Sequence, residues 1–214
     1  MSRRHDIDAL RALAFALLIL YHLAMLYVAD WGWHLKSAQT YEWLQVPMLV
    51  VNRWRMDLIF LISGLAASFL LKPGEAAAFA WRRTLRLLVP LVFGILVVVP
   101  VQPYAQGVAN GLVEPGFGRF LAHYYGGYAW PAGAFDGWEH GFTWNHLWYL
   151  AYLWPYTMVL ALLARPLASP AGQRVRAAFA GLRGWKLLVL PALPLLAYTI
   201  WLQPLFEDTG DFVH

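Results

Sequence analysis

Arg11 and His22 stand eleven residues apart in an otherwise apolar stretch, DALRALAFALLILYH. Eleven steps of about 100° fall within about 20° of three full turns, so on a helix both lie on one face, roughly 16 Å apart along the axis. An imidazole so placed can act as a general base, and a guanidinium can hold an anion. A second polar group, Asn52, Arg53, Arg55 and Asp57, opens another apolar run, which ends LIFLISGLAASFLL and carries Ser63. Arg55 lies about 12 Å into that run, and His22 about 10 Å below the outer end of the first. The matched depth predicts one polar cluster of His22, Arg53, Arg55 and Asp57 facing a cavity. Alternatively, Arg53 and Asp57, four residues apart, merely neutralise each other, which leaves Arg55 unexplained. Asn145 and His146, in WNHLWYL, form a third polar point among Trp144, Trp148 and Tyr149. They read either as part of a site or as an interfacial aromatic belt that needs no function.

The elements that must hold these residues are membrane helices. The chain has 214 residues, of which 60% are hydrophobic and 13% charged, with a mean hydropathy of +0.50. An average soluble domain is roughly 45–50% apolar and about 25% charged, so a disordered chain, a coiled coil and an ordinary soluble enzyme are excluded. A hydrocarbon core of about 30 Å takes about 20 helical residues. Five segments qualify, at about 8–29, 46–71, 85–102, 144–164 and 185–202. Pro90, Pro100, Pro191 and Pro194 are tolerable there, because neighbouring helices re-satisfy the freed carbonyls. The first segment reads as a retained helix and not a signal peptide, since its apolar run is long and no small-residue cleavage site follows.

Lys and Arg alternate from one connection to the next. Arg3 and Arg4 precede the first segment, and only Lys36 follows it. Lys72, Arg82, Arg83 and Arg86 follow the second, and only Arg119 the third. Arg165, Arg174, Arg176, Arg183 and Lys186 follow the fourth. The pattern predicts an N-terminus inside and a C-terminus outside. The expected fold is therefore an all-α, polytopic membrane protein, a single transmembrane domain over 1–214. The net charge of +4 is accounted for by topology and gives no reason to expect nucleic acid.

The absence of cysteine excludes disulfides, Fe–S clusters, Cys-based zinc sites and a thiol nucleophile. There is no G-x-S-x-G elbow, no H-E-x-x-H, no P-loop and no dinucleotide fingerprint, so neither a metal nor a permanently bound cofactor is expected. What is left is a histidine base with arginines placed to hold an anion. The segment 106–143 includes YYGGYAWPAGAFDGWEHGF; it could stack against sugar rings or lie on the membrane.

The Arg11-x10-His22 stretch resembles the first helix of the acyltransferase type 3 family. RMDLIFLISG, Arg55 to Gly64, is similar to that family's second-helix motif, with Asp57 where proline is usual. RRTLRLLVPLVFG, Arg82 to Gly94, and NHLWYL, Asn145 to Leu150, resemble the branch related to glucan biosynthesis protein C. The resemblance spans about Arg4 to Leu163. It implies the N-terminal half of an acyltransferase of ten or more spans, multi-pass in a bacterial inner membrane, with the C-terminal half as its partner. It also implies acyl transfer from cytoplasmic acyl-CoA to a hydroxyl of an outer-side or lipid-linked glycan, the acyl group being succinyl in the glucan branch. Acyl-CoA enters as donor substrate, with membrane lipid and a carbohydrate acceptor as the other partners. His22 would be the general base, with direct transfer and an acyl-His intermediate both open, and Arg11 would stand near the CoA nucleotide. Arg55 would hold the acyl carboxylate, the thioester oxyanion or an acceptor group. Asn52, Arg53, Asp57, Ser63, Asn145 and His146 complete the expected substrate site. The alternative, from the residues alone, is a small-molecule transporter or channel whose polar cluster is a substrate or proton site.

Overall fold

The computed structural model describes residues 5–72, 74–141 and 144–202; Arg3 and Arg4, used above for orientation, lie outside the described residues. Helix α1, His5–Met25, carries Asp6 and Asp8 in its first turn, where negative charge complements the helix dipole. At its other end Lys36 Nζ donates to Met25 O at 2.9 Å and, just past the helix, to Val28 O at 2.7 Å, so a cation sits at the C-terminal carbonyl end. Helix α2, Gln45–Leu70, follows a short turn at Glu42–Leu44 and has Pro47 in its first turn, where a missing N–H costs nothing. Its bounds agree with the expected 46–71 to one residue.

Helix α3, Ala76–Phe93, starts earlier than the expected 85. Arg82, Arg83 and Arg86 sit within the helix and not in a connection. Alanine and arginine are strong helix formers, so AAAFAWRR winds up; Arg82 Nη2 reaches back to Glu75 Oε2 at 3.4 Å, while Arg83 turns inward and keeps its Nε buried without a partner among the described residues. Pro90 removes one helical N–H, and the chain then widens into a π turn at Gly94–Val98, closed by Val99 N to Gly94 O at 2.8 Å. Helix α4, Val101–Ala109, prolongs the same path past the expected end at 102, giving one apolar helix over Ala76–Ala109.

The rest comprises α5, Phe117–Tyr125, a short turn at Asn145–Leu147, α6, Trp148–Leu162, and α7, Ala164–Ala168. Helix α8, Pro170–Ala180, is opened by Ser169, whose hydroxyl accepts from Gly172 N, with Pro170 in the first turn, a common helix-start signature. Helix α9, Lys186–Ala197, runs into a π turn at Tyr198–Leu202.

The described residues contain helices and no strand, as expected. Among the described residues, His5–Met25 and Ala76–Ala109 are the two helices long and apolar enough to cross a membrane. Of the other three expected spans, α2 is long but carries Arg53, Arg55 and Asp57, while α6 has 15 residues and α9 has 12.

Four elements pack in a row, α1–α2–α6–α3. Ala14 of α1 lies on Ile59 and Ile62 of α2, and Tyr21 and Met25 lie on Met48, so the two run antiparallel. Phe60 of α2 meets Trp148 and Tyr149 of α6. Trp154 Nε1 of α6 donates to Thr84 Oγ1 of α3 at 3.0 Å. Gly94 lets Leu147 come close: a Cβ at that position would lie 2.5 Å from Leu147 Cδ1. The flanks of the row stay apolar, with Leu13, Ile19, Leu61 and Leu162 between 67% and 78% exposed, a surface suited to hydrocarbon. Segment 106–143 spends most of its rings on itself: Val113, Phe120, Tyr124, Trp130 and Phe135 form a separate core, while Tyr125 and Tyr128 stay exposed.

Candidate active site

His22 lies near the C-terminal end of α1, on the turn that packs against α2. Its Nδ1 is 2.8 Å from Leu18 O, one turn back. A carbonyl oxygen only accepts, so Nδ1 carries the proton and Nε2 keeps its lone pair. The backbone thereby sets which nitrogen can act as a base. The neighbouring Tyr21 is buried between α1 and α2, and the Arg55 guanidinium carbon stands 3.3 Å from the centre of its ring, a cation–π contact. Arg55 Nε and Nη1 are buried with no hydrogen-bond partner among the described residues. Buried, unpartnered donors on a cation are costly and constitute unused capacity to bind an anion. The Arg55 charge also reaches His22.

The turn before α6 brings in His146, whose ring centre is 5.0 Å from that of His22 and whose Nε2 is buried without a partner. Trp33, between α1 and α2, stacks on His146 at 4.9 Å with an interplanar angle of 21°, and its ring is 5.7 Å from His22. The three rings form a triangle beside Tyr21 and Arg55.

Next to this triangle His34 is held on both ring nitrogens. Its Nδ1 is 2.8 Å from Gln106 Oε1 and 3.2 Å from Asp136 Oδ2, and its Nε2 is 2.8 Å from Asn145 Nδ2. Two acceptors face Nδ1, so it donates; Asn145 Nδ2–H faces Nε2, so it accepts. Asn145 Nδ2 also donates to Gln102 Oε1 at 2.6 Å. Gln106 Nε2 donates to Asp136 Oδ1 at 3.0 Å, and Gln106 Oε1 accepts from Asp136 N at 2.9 Å. Asn145 reaches this position with φ of 44°, a left-handed conformation that asparagine tolerates. The hydrogen bond from His34, with a second from Gln106, holds the Asp136 carboxyl below the usual carboxylate range against its partial burial. Burial works against charge on His34, but the hydrogen bonds and charge of Asp136 outweigh it and hold the imidazole above its ordinary value.

Of the residues singled out in the sequence, the structure brings together His22, Arg55, Asn145 and His146. Ser63 lies further along α2, hydrogen-bonded to the Tyr149 hydroxyl. Arg11 is exposed and paired with Asp8 at 3.3 Å. Asn52, Arg53 and Asp57 occupy the exposed face of α2, away from His22, and no ion pair joins Arg53 to Asp57. Tyr21, Trp33, His34, Gln102, Gln106 and Asp136 were not anticipated. Only Tyr21 and the Trp33–His34 pair left a local trace, as polar aromatics beside a base or in a short connection. The others meet His34 or Asn145 from tens of residues away in the chain.

Comparisons of the chain with curated proteins and with solved structures give no match. The family model described as Acyltransferase domain, that of the acyltransferase type 3 family, matches residues 4–214. The match covers the whole row of helices and every residue of the site, and this chain belongs to the acyltransferase type 3 family of membrane acyltransferases, with acyl transfer as its general activity.

Proposed function

We propose that the chain moves an acyl group from cytoplasmic acyl-CoA to a hydroxyl of an outer-side or lipid-linked glycan, as a multi-pass protein of a bacterial inner membrane. The observation that carries this reading is His22: with Nδ1–H tied to Leu18 O, its Nε2 is offered as a base beside the free donors of Arg55. The acceptor oxygen attacks the thioester carbonyl carbon while its proton passes to His22 Nε2. The carbon–oxygen bond forms, the carbon–sulfur bond breaks, and His22 returns the proton to the CoA sulfur. Arg55 offsets negative charge, on the carbonyl oxygen during attack or on a carboxylate carried by the acyl group.

Arg11 stands about 16 Å from His22 along α1, too far to touch the reacting carbonyl, at the end where CoA phosphates would lie. The alternation of Lys and Arg puts that end in the cytoplasm. The crossings in this arrangement are α1, α2, the Ala76–Ala109 helix, α6 and α9, and the exposed aliphatic flanks support it. Arg82–Gly94 and Asn145–Leu150 favour the branch resembling glucan biosynthesis protein C, and with it a succinyl group. Inverted membrane vesicles expressing the native gene should transfer label from acyl-CoA, supplied outside the vesicle, to glycan, and should transfer none from the free acid. Uptake of a small solute with no CoA-dependent transfer would replace this reading with the transporter.

A further inference from the structure

The connection between α1 and α2 is pinned at three points as it passes the site. Lys36 caps α1. Tyr41 N donates to Tyr27 O at 2.8 Å, and Ala29 N to Tyr41 O at 3.3 Å. His34 enters the net made by Gln102 and Gln106 of α4, Asp136 and Asn145. The two rings from outside α1 that lie against His22 among the described residues each belong to a covalent neighbour of this net: Trp33 precedes His34, and His146 follows Asn145. The polar net thus sits directly behind the ring triangle.

We propose that His34 is a positioning residue, which through Trp33 and Asn145 sets His146 against His22 without itself touching substrate. His34 has the means to do this. Its side chain is only 12% exposed, and both of its nitrogens are engaged, one across to Asp136 and Gln106 and the other to Asn145. Its ring cannot rotate without breaking contacts to three separate segments, so Trp33 is held flat on His146 and the buried Nε2 of His146 stays shielded. General-base chemistry depends on such fixed geometry around the base. What the positioned pair then accomplishes rests on the acyl-transfer reading; the positioning itself does not.

The test uses the full chain in native membranes, treated with diethyl pyrocarbonate, which modifies unprotonated imidazole nitrogen. Modification is followed at each histidine by mass spectrometry and referred to the exposed His123 of the same chain. In the unmodified sequence His22 and His146 should react more slowly than His123. His34→Ala and Asp136→Ala should each raise the rate at both His22 and His146 several-fold with helix content unchanged. His34→Gln, which keeps a donor and an acceptor, should restore part of the protection. Unchanged rates at His22 and His146 in folded His34→Ala overturn the proposal. Where His34→Ala does not accumulate, Asp136→Ala, at a carboxylate 62% exposed, decides the matter by the same criterion. Raised labelling alongside absent acyl transfer overturns the proposed function and leaves the positioning role. Unchanged labelling alongside His22-dependent transfer does the reverse.

Discussion

Around His34, both ring nitrogens, both Asp136 oxygens and the amides of Gln102, Gln106 and Asn145 are hydrogen-bonded. The next ring over, His146, is 5.9 Å away, and there the pattern inverts. His146 leaves Nε2, and Arg55 leaves Nε and Nη1, buried and unpartnered. A closed net of this kind stiffens what it joins. Open polar groups in a buried place cost about 1–3 kcal/mol each, more when charged, and persist where a ligand completes them. On the proposed reading, the contrast separates a scaffold from a site within one cluster of side chains. Composition could not separate them, because both regions hold histidine and amide or guanidinium groups.

The largest effect that sharpens the contrast is on the open side. Arg55→Ala should lower acyl transfer by about 10²–10³-fold, the usual loss for a group that stabilises developing charge. Arg55→Lys should recover little, because an ammonium lacks the planar donor set. Neither should lower the thermal stability of the unliganded, detergent-solubilised chain as much as a change in the closed net does. If Arg55→Ala destabilises as strongly as Asn145→Ala, the two regions are not different in kind. Asn145→Ala is the next largest, since it strips partners from His34 Nε2 and Gln102 Oε1. A loss of about 1–3 kcal/mol is expected, read as a lower unfolding temperature.

The closed net should also respond to pH. His34 is raised from its ordinary 6.5, so its contribution is fully present below that value and is lost as pH rises through the folded one. Asp136 is lowered from 3.8, so its contribution is present above that value and is lost as pH falls through the folded one. The net is therefore tightest between the two. The charged or titratable groups facing His34 are Asp136 and His146, with His22 behind; α4 offers only Gln102 and Gln106. The stability difference between the unmodified chain and Asp136→Ala should accordingly shrink from mildly acidic to alkaline pH. A constant difference contradicts the pairing. The smallest effect lies on the exposed face of α2. A double-mutant cycle on Arg53 and Asp57 should give a coupling below about 0.5 kcal/mol, because no ion pair joins them.

The parts legible in the sequence are those with a period. Helix α2 lies within one residue of its expected bounds because Pro47 marks its start and LIFLISGLAASFLL is apolar to its end. The depth match between His22 and Arg55 followed from the rise per residue alone, and the structure links them through Tyr21. Helix α3 starts earlier than the sequence predicts because Arg82, Arg83 and Arg86 read as a connection by charge, whereas arginine is as comfortable in a helix. Matched depth alone does not put Arg53 and Asp57 beside His22, because depth says nothing of which face of α2 a residue occupies. Arg53 and Arg55, two apart, point to different sides of a helix. The closed net left no periodic trace. Its contacts join His34 to Gln106 and to Asn145 across 72 and 111 residues, and nothing local in either segment foretells its partner.

The central claim is that His22 Nε2 is the base. It is tested most directly by transfer of labelled acyl group to glycan in membranes holding equal amounts of the native gene's product and its His22→Ala and His146→Ala forms. His22→Ala should lose about 10²–10⁴-fold in rate, the usual worth of general-base assistance, and His146→Ala should lose less. Wild-type transfer in His22→Ala, with transfer lost in His146→Ala, would contradict the assignment and move the base to the turn before α6.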